Sequence, residues 1–376
     1  MSSRSLGPAN DGPGIELVWR GKRRPEPASA GQLMSLARVG PPPGPGDPWR
    51  NQLIHGDNAD AMAALERSFS GSIDLIYADP PFATGGDFRY SRRNGEKAGA
   101  LAYEDSWPGG IDSYLQMLYE RLLPMHRLLS DRGSLYLHID WRAGHYAHLL
   151  LDEIFGNGAF RNMIAWHYGG RGAKAVAGQF PRNYDLILYY SKTSAAPFFR
   201  PYSVERLPVG QASRRGFRRD EEGRWFKTAP RGDYTDESVA RLAAEGRIHH
   251  TRTGKVRVKY FLDEEDGHVV ERQPMGDVWN DIPDMMHAPA AERTGFPTQK
   301  PKALLSRIIE ASTSEGGLVA DFFCGSGTAL VAAETLGRRW IGCDSGEAAI
   351  EVTRERLGAI RGHRPFYELR SAHGPD

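Results

Sequence analysis

The stretch Gly317-Leu-Val-Ala-Asp321-Phe-Phe-Cys-Gly325-Ser-Gly327-Thr328 decides the fold class of this 376-residue chain. Its apolar start predicts a buried strand, its two glycines predict a tight turn, and a helix is expected from Thr328 onward. A second apolar run, Arg339-Trp-Ile-Gly-Cys-Asp344, follows and ends on an acidic residue. A strand, a glycine turn, a helix and a second strand are typical of a nucleotide-binding α/β unit.

The side chains of this unit favour a cofactor that has a ribose and a positively charged end. Glycines let a ligand approach the backbone closely, and the start of a helix offers free N–H donors. Asp344 is placed to accept hydrogen bonds from ribose hydroxyls, and Asp321 can pair with an ammonium group. The third glycine of the dinucleotide fingerprint is replaced by Leu330. S-adenosylmethionine, with a ribose and an amino-acid end, therefore fits better than a dinucleotide.

A second motif, Asp79-Pro80-Pro81-Phe82, ends the strand-like run Ser72-Ile-Asp-Leu-Ile-Tyr-Ala78. The carboxylate of Asp79 and the carbonyl of Pro80 can both accept hydrogen bonds from an amino group. Each proline fixes its φ at about −65°. Phe82 offers a face on which a nucleobase can stack, worth about 1–3 kcal/mol. The motif predicts a pocket for a base with an amino group; the alternative is a simple Pro-Pro turn with Phe82 in the core.

Composition indicates an ordinary globular protein, with a net charge of +1 and 40% hydrophobic residues. No apolar run reaches the length of about 18 residues that a membrane span needs, and the N-terminus lacks the apolar core of a signal peptide. We therefore expect a cytoplasmic protein with no membrane partner. Cys324 and Cys343 are expected to be buried thiols. No cysteine and histidine cluster has zinc-binding spacing, so no metal site is predicted.

The chain divides into a patterned region and a less regular insertion. Strands are predicted at 51–55, 72–78, 133–140 and 184–190, and helices near 59–65, 111–129, 143–155, 301–312 and 346–360. Strands that alternate with helices predict a mostly parallel α/β sheet. The expected segments are a flexible Pro/Gly-rich arm without regular elements (1–48), a first catalytic part (49–199), an insertion (200–280), a second catalytic part (281–362) and a tail (363–376). The glycine-rich stretch 83–110 is expected to be a long mobile loop.

Lysines and arginines of the insertion are interleaved with aromatic residues, among them Phe217, Trp225 and Phe226. This mixture favours a nucleic-acid surface, which uses phosphate attraction and base stacking. A solvated basic face without a partner is the alternative.

Three segments resemble the β-class amino-methyltransferases of DNA: Asp79–Phe82, Asp321–Gly327, and Phe296-Pro-Thr-Gln-Lys-Pro-Lys-Ala-Leu-Leu305. The resemblance covers about residues 50–362, with the catalytic motif before the cofactor motif and a target-recognition region between them. It implies a Rossmann-like, mostly parallel, seven-stranded sheet with permuted motif order, and S-adenosylmethionine as cofactor.

The resemblance also implies roles for individual residues. Asp57 matches the family's acid near the cofactor adenine, and the segment with Thr298 and Lys300 matches the one that closes over the methionine end. The implied cofactor-binding residues are Asp57, Thr298, Lys300, Pro301, Asp321, Phe323, Cys324, Gly325, Ser326, Gly327, Thr328 and Asp344. The implied catalytic residues are Asp79, Pro80, Pro81 and Phe82. The arginines expected to contact DNA are Arg89, Arg92, Arg93, Arg214, Arg215, Arg218 and Arg219.

The first residue of the catalytic motif bears on the target base. The family's adenine enzymes mostly carry Asp there and its cytosine N4 enzymes mostly Ser, so Asp79 favours the N6 amine of a flipped-out adenine. Cytosine N4, or an amine of RNA or protein, remains an alternative. Carbon-5 methylation needs a cysteine that typically follows a proline, and neither Cys324 nor Cys343 does. The expected partner is double-stranded DNA, and the family also allows a homodimer and a restriction endonuclease partner.

Two functions from other classes explain the sequence less well. A nicotinamide oxidoreductase would need a glycine at Leu330 and leaves Asp79–Phe82 without a role. A DNA-binding regulator that has lost its activity would not need Asp79 or the glycine turn.

Overall fold

The structure is a computed structural model that describes residues 15–25, 32–40, 49–82, 84–90, 101–168 and 178–371. The chain forms two compact units. The larger unit consists of Met1–Phe199 and Gly276–Asp376, and the smaller unit is Arg200–Met275. Among the described residues, no helix combines the length and apolar character needed to cross a membrane.

The elements of the larger unit that precede the smaller one are β1 (Leu33–Val39), β2 (Asn51–His55), α1 (Asn58–Phe69), β3 (Ile73–Ala78), β4 (Asp87–Arg89), β5 (Leu101–Glu104), α2 (Gly110–Leu128), β6 (Leu129–Ile139), α3 (Gly144–Phe155), β7 (Phe160–His167) and β8 (Tyr184–Ser191). The smaller unit contains β9 (Tyr202–Pro208), α4 (Val209–Ala212), β10 (Arg218–Arg219), β11 (Trp225–Pro230), α5 (Asp236–Ala244), β12 (Ile248–His250), β13 (Val256–Phe261), β14 (Asp263–Glu265) and β15 (His268–Pro274). The larger unit resumes with β16 (Val278–Trp279), α6 (Lys302–Ser312), β17 (Leu318–Asp321), α7 (Thr328–Thr335), β18 (Arg339–Asp344), α8 (Glu347–Gly358) and β19 (Phe366–Ser371).

The larger unit is built on one sheet with the strand order β1-β19-β2-β18-β17-β3-β6-β8-β7-β16. From β19 to β6 all neighbouring strands are parallel. β8 is antiparallel to both β6 and β7, and β1 is antiparallel to β19. The mostly parallel α/β sheet is confirmed, but it has ten described strands where seven were expected.

Helices cover both faces of this sheet because both faces of its central strands are apolar. Adjacent residues of β3, Leu75 and Ile76, point to opposite faces and are both fully buried. Ile76 belongs to a core with side chains of α1, α2 and α3, whereas Leu75 belongs to a core with side chains of α6, α7 and α8. Burial on both faces is typical of parallel strands between two helical layers.

One expectation about the ends of the chain was wrong. Leu33–Val39, inside the arm that was expected to lack regular elements, forms β1 and pairs with β19, which lies in the expected tail. This strand contains neither proline nor glycine, so the composition of residues 1–48 as a whole conceals a short stretch that can pair. The partner strand is more than 300 residues away in sequence, which no local pattern reveals.

The stretch 83–110 also contains a regular element, because β4 and β5 form an antiparallel hairpin. Tyr90, directly after β4, packs with Phe296 and with the buried Ala349 and Val352 of α8. The expectation that the whole stretch 83–110 forms a loop was therefore wrong, because the stretch contains this hairpin. Residues 91–100 lie outside the described residues.

The smaller unit consists mainly of two antiparallel sheets, β10-β11-β13-β12 and β14-β15-β9. Phe217, Trp225 and Phe226 are 6%, 5% and 4% exposed, so they belong to its interior. The expectation that these three rings stack on nucleic-acid bases was wrong. Trp225 and Phe226 are adjacent on β11 and therefore point to opposite faces of its sheet, and both are buried.

Candidate active site

Four acidic residues meet at one edge of the central sheet. β2, β18, β17 and β3 are parallel neighbours, and Asp57, Asp344, Asp321 and Asp79 lie at or just beyond their carboxyl ends. All four line one cavity of about 630 Å³. Ligand sites in open α/β sheets lie at this edge, and the volume suits a ligand of nucleoside size.

The cavity brings together most of the residues predicted from the sequence. It is lined by Asp57, Asp79, Pro80, Pro81, Phe82, Thr298, Lys300, Asp321, Phe323, Cys324, Gly325, Ser326, Thr328 and Asp344. Pro301 and Gly327 do not line it: Pro301 is the N-cap of α6, and Gly327 faces α8. The catalytic and cofactor segments, which are far apart in sequence, thus face the same space.

The glycine turn after β17 needs both of its glycines. Gly325 has a φ of +49° and Gly327 a φ of +72°, in the left-handed region that favours glycine. A Cβ atom on Gly327 would lie 2.5 Å from Cγ2 of Thr353. The turn therefore packs directly on α8, and a side chain at Gly327 would push the two apart.

Two residues of α8 that the sequence reasoning missed hold this turn by its carbonyl groups. Thr353 donates to the carbonyl of Gly325 at 3.0 Å. Nη1 of Arg356 donates to the carbonyl of Ser326 at 2.5 Å and to Oγ1 of Thr328 at 3.0 Å. Thr353 and Arg356 are three residues apart and so share one face of α8. Burial lowers the pKa of Arg356 to about 10, although Glu292 opposes this shift.

Asp344 and Asp321 are held by backbone N–H groups. Asp344 accepts from the N–H groups of Gly325 and Gly346, each at 2.8 Å. Burial raises the pKa of Asp344, and these hydrogen bonds oppose the shift. Asp321 accepts from the N–H of Phe323 at 3.0 Å, and burial raises its pKa well above the ordinary range. A buried carboxylate favours a positively charged partner.

The catalytic motif contacts the segment that follows the smaller unit. Nζ of Lys300 lies 2.5 Å from a carboxylate oxygen of Asp79 and donates to the carbonyl of Thr298 at 3.4 Å. The same ammonium lies 5.2 Å from the ring centre of Phe82. Thr298 has a φ of +56°, a conformation that costs a non-glycine residue about 1–3 kcal/mol and occurs at ligand clamps.

A buried histidine, also missed from the sequence, supports the ring of Phe82. The ring centres of Phe82 and His138 are 5.7 Å apart. Nδ1 of His138 lies 2.8 Å from the hydroxyl of Tyr77, and Nε2 lies 3.1 Å from Asp185. Burial would raise the pKa of Asp185, but the hydrogen bond and charge of His138 lower it overall. Because an ionised carboxylate only accepts, Nε2 carries a proton toward Asp185.

Asp57 caps the first helix and is already hydrogen-bonded. Its carboxylate accepts from the N–H of Ala59 at 2.7 Å and from Arg121 at 3.1 Å. Neighbouring Asn58 donates to the carbonyl of Phe322 at 2.9 Å, which ties α1 to the glycine turn. The role of Asp57 beside an adenine ring stays a prediction.

Both cysteines are buried free thiols, as predicted. Burial raises the pKa of Cys324 and of Cys343 well above the ordinary range. These thiols therefore stay protonated at neutral pH and are poor nucleophiles.

The predicted DNA-contacting arginines are distributed over both units. Arg89 is exposed at the end of β4, and Arg92 and Arg93 lie outside the described residues. The smaller unit exposes Arg214, Arg215, Arg218 and Arg219. Arg215 lies 3.5 Å from Glu205 and Arg219 lies 3.0 Å from Glu264. Since acidic residues are nearly as numerous as basic ones in this unit, its surface is not strongly basic.

Comparison with known proteins identifies the family to which a chain with this cavity, glycine turn and acid-proline-proline-aromatic motif belongs. Residues 73–355 match the family model described as DNA methylase. The chain belongs to this family, which comprises N6 and N4 DNA methyltransferases that use S-adenosylmethionine.

Individual relatives resemble the chain over most of its length. The chain is 31% identical over 337 residues to the type II methyltransferase M.EcaI of Enterobacter cloacae, covering 83% of this chain and 70% of that protein. It is 27% identical over 319 residues to the DNA adenine methyltransferase YhdJ of Escherichia coli K12, covering 84% and 85%. Among solved structures, the cytosine-N4-specific PvuII DNA methyltransferase matches with a TM-score of 0.47 and 14% identity, covering 82% and 86%.

The lining of the cavity fits S-adenosylmethionine. Asp344 accepts one backbone N–H on each oxygen, and each oxygen can accept a further hydrogen bond from a ribose hydroxyl. Asp321 is a buried acid beside the turn, where an ammonium group would offset the cost of its charge. Phe296 and Phe323 supply apolar walls around Gly325. When bound, S-adenosylmethionine supplies an electrophilic methyl group.

Proposed function

We propose that this protein methylates the N6 amine of adenine at specific sites in double-stranded DNA. The proposal depends on one observation: Asp79, Pro80 and Phe82 line the same cavity as the glycine turn Cys324–Ser326. A base held by the first set therefore faces a methyl donor held by the second. Because both sets begin at the carboxyl ends of neighbouring parallel strands, β3 and β17, the sheet fixes their separation.

Asp79 and Pro80 would activate the amine through two hydrogen bonds. An aromatic amine is a poor nucleophile because its lone pair is delocalised into the ring. Acceptors on both N–H groups favour a pyramidal nitrogen whose lone pair points away from the ring plane. The carboxylate also stabilises the positive charge that develops on nitrogen, and it can accept the proton that the methylated amine loses. No covalent enzyme intermediate is needed.

The target base must leave the duplex to enter this cavity, at a cost of a few kcal/mol. Phe82 would offset part of that cost by stacking on the base. Its ring is supported from the interior by His138, which is itself fixed by Tyr77 and Asp185. This arrangement gives the base a firm surface on one side of the pocket.

We further assign the cofactor contacts to the residues that line the cavity near the glycine turn. Asp344 would bind the ribose, Asp321 the ammonium group, and Asp57 the adenine ring. Lys300 and Thr298 would lie at the methionine end, where a lysine can bind the cofactor carboxylate. Pro301 and Gly327 would contribute indirectly, through the backbone conformation at the start of α6 and in the glycine turn. Arg89 remains a proposed DNA contact.

Adenine is favoured over cytosine for two reasons. Asp79 begins the catalytic motif, and a relative with 27% identity, YhdJ, is named a DNA adenine methyltransferase. Neither reason depends on the recognition sequence. A homodimer and a restriction endonuclease partner stay predictions.

Nucleoside analysis tests the proposed base. The purified protein is incubated with labelled S-adenosylmethionine and DNA from a methylation-deficient host, and the digested nucleosides are separated by mass spectrometry. We expect the label in N6-methyladenine. Label in N4-methylcytosine would replace the adenine assignment with the cytosine one, and the absence of label from DNA would overturn the DNA substrate.

A further inference from the structure

An exposed tryptophan with two arginines on its ring lies just beyond β6. We refer to Trp141, Arg142 and Arg182 as the Trp141 cluster. The Trp141 side chain is 41% exposed, although an indole of this size is usually well buried. The guanidinium of Arg182 lies 3.6 Å from the ring centre of Trp141, and that of Arg142 lies 5.0 Å from it.

The Trp141 cluster lies at the same sheet edge as the catalytic motif. β6 is the parallel neighbour of β3, with Leu137 opposite Ala78. The next residue, His138, contacts the ring of Phe82. Trp141 follows three residues later, so its Cα lies within about 11 Å of that of His138. A nucleic-acid strand that enters the cavity would therefore pass close to Trp141.

The two arginines are held in place by different partners. Buried Asp140 accepts from the backbone N–H of Arg142 at 2.8 Å and forms an ion pair with its guanidinium. Arg182 donates to the neutral amide of Gln179 at 2.8 Å. Within the described ranges no carboxylate lies in ion-pair reach of Arg182, so its charge is available to a ligand. Stacking on Trp141 orders this guanidinium without neutralising it.

The surroundings favour a nucleic-acid ligand over a protein one. Phe180 and Tyr184, next to Arg182 in sequence, are 93% and 40% exposed. Exposed rings on either side of an arginine in sequence suit the bases and phosphates of an unstacked strand, because rings provide stacking and arginine provides charge. A contiguous exposed apolar patch would instead mark a protein interface.

We propose that the Trp141 cluster binds the DNA strand that carries the target base. Arg182 contacts a backbone phosphate, and Trp141 packs against the sugar or base next to the flipped-out nucleotide. This inference deepens the proposed function and rests on its premise that a base of DNA flips into the cavity, but not on which base is methylated. The cluster would hold the strand in the distorted form that base flipping requires.

Salt-dependent binding tests the proposal, because each phosphate contact contributes about 0.9 to the slope of log K against log salt. Fluorescence anisotropy of a labelled 24-base-pair duplex is measured over a series of salt concentrations for the wild type, Arg182→Ala and Trp141→Ala. Arg182→Ala should lower the slope by about 0.9 and weaken binding about tenfold at low salt. Trp141→Ala should weaken binding about fivefold or more with little change in slope. In both variants KM for DNA should rise while kcat changes little.

Arg132→Ala is the matched control, because Arg132 is exposed on β6 at the opposite edge of the sheet. It should bind DNA like the wild type. If Arg182→Ala and Trp141→Ala also bind like the wild type, the Trp141 cluster is not a DNA site, and a protein partner becomes the better explanation of its exposed rings. If the variants lose DNA affinity but wild-type enzyme labels no adenine, the cluster assignment stands and the adenine assignment fails.

Discussion

Lys300 and Asp79, 221 residues apart in sequence, form an ion pair of 2.5 Å inside the cavity. Their side chains are only 10% and 17% exposed, so water screens this pair weakly. The pair joins the catalytic motif to the segment proposed for the methionine end of the cofactor. It occupies one oxygen of Asp79 and leaves the other for the target amine.

Replacing Lys300 tests whether this pair orients the catalytic carboxylate. Lys300→Met keeps the length of the side chain and removes the charge. We expect kcat to fall about tenfold or more, because Asp79 loses the partner that fixes it, and we expect weaker cofactor binding. The measurement is methyl transfer together with calorimetric binding of S-adenosylmethionine. Lys302→Met, two residues further along, should match the wild type, and an equally active Lys300→Met variant would contradict the role of the pair.

Replacing Arg356 should weaken cofactor binding, although Arg356 is not among the residues that line the cavity. Arg356→Met deletes the hydrogen bonds to the Ser326 carbonyl and the Thr328 hydroxyl. Hydrogen bonds from a charged donor are each worth about 1.5–3 kcal/mol, so we expect Kd for S-adenosylmethionine to rise at least tenfold. Arg354→Met, which removes an exposed ion pair on the same helix, is the control. Unchanged cofactor affinity in Arg356→Met would mean that the turn is stable by itself.

Asp321 should lower the stability of the cofactor-free protein at high pH and should contribute to cofactor binding. Burial raises its pKa above the ordinary 3.8, so the folded chain holds this proton to a higher pH than the unfolded chain. Stability therefore falls as pH rises from about 4 through the folded pKa. Asp321→Asn lacks this loss and can still accept from the N–H of Phe323. We expect its Tm to exceed that of the wild type at pH 8 by on the order of 2 °C, and the difference to shrink toward pH 5.

The same variant should bind S-adenosylmethionine more weakly than the wild type, because an amide cannot neutralise an ammonium group. Thermal denaturation with and without cofactor measures both effects. A variant that is less stable than the wild type at pH 8, or that binds the cofactor equally well, would show that Asp321 is not the buried acid of the methionine end.

Phe82→Ala should weaken base binding and spare the cofactor. A lost stacking surface costs about 1–3 kcal/mol, which corresponds to a fall of about 5–150-fold in kcat/KM for DNA. Cofactor affinity should stay the same. An equal loss of cofactor affinity would mean that the ring also shapes the cofactor site. His138→Asn, which removes the support of the ring, should reduce kcat/KM in the same direction by a smaller factor.

The sequence predicted the elements whose signals are local. β3 and β17 have apolar runs that end on an acid, and the helices α2, α3, α6 and α8 have regular apolar spacing, so their positions agree with the structure within a few residues. The prediction that Asp79 and Asp321 lie close together followed from the rule that the carboxyl ends of parallel strands lie at the same edge of the sheet.

What the sequence could not predict depends on contacts between distant residues. β1 is recognisable only through its partner β19. His138 acts through Phe82, 56 positions away, and Arg356 acts through Ser326, 30 positions away. The residues next to His138 and Arg356 in sequence do not indicate either contact. The buried rings of the smaller unit were misread because its charged and aromatic residues lie close together in sequence, and nothing local shows which of them face the interior.

The most direct test of the central claim, that Asp79 acts on a base held opposite the cofactor, is methyl transfer by Asp79→Ala with cofactor binding measured in parallel. We expect no detectable transfer to DNA, while S-adenosylmethionine still binds and Asp131→Ala, an exposed carboxylate at the opposite edge of the sheet, keeps full activity. Transfer by Asp79→Ala at the wild-type rate would contradict the account.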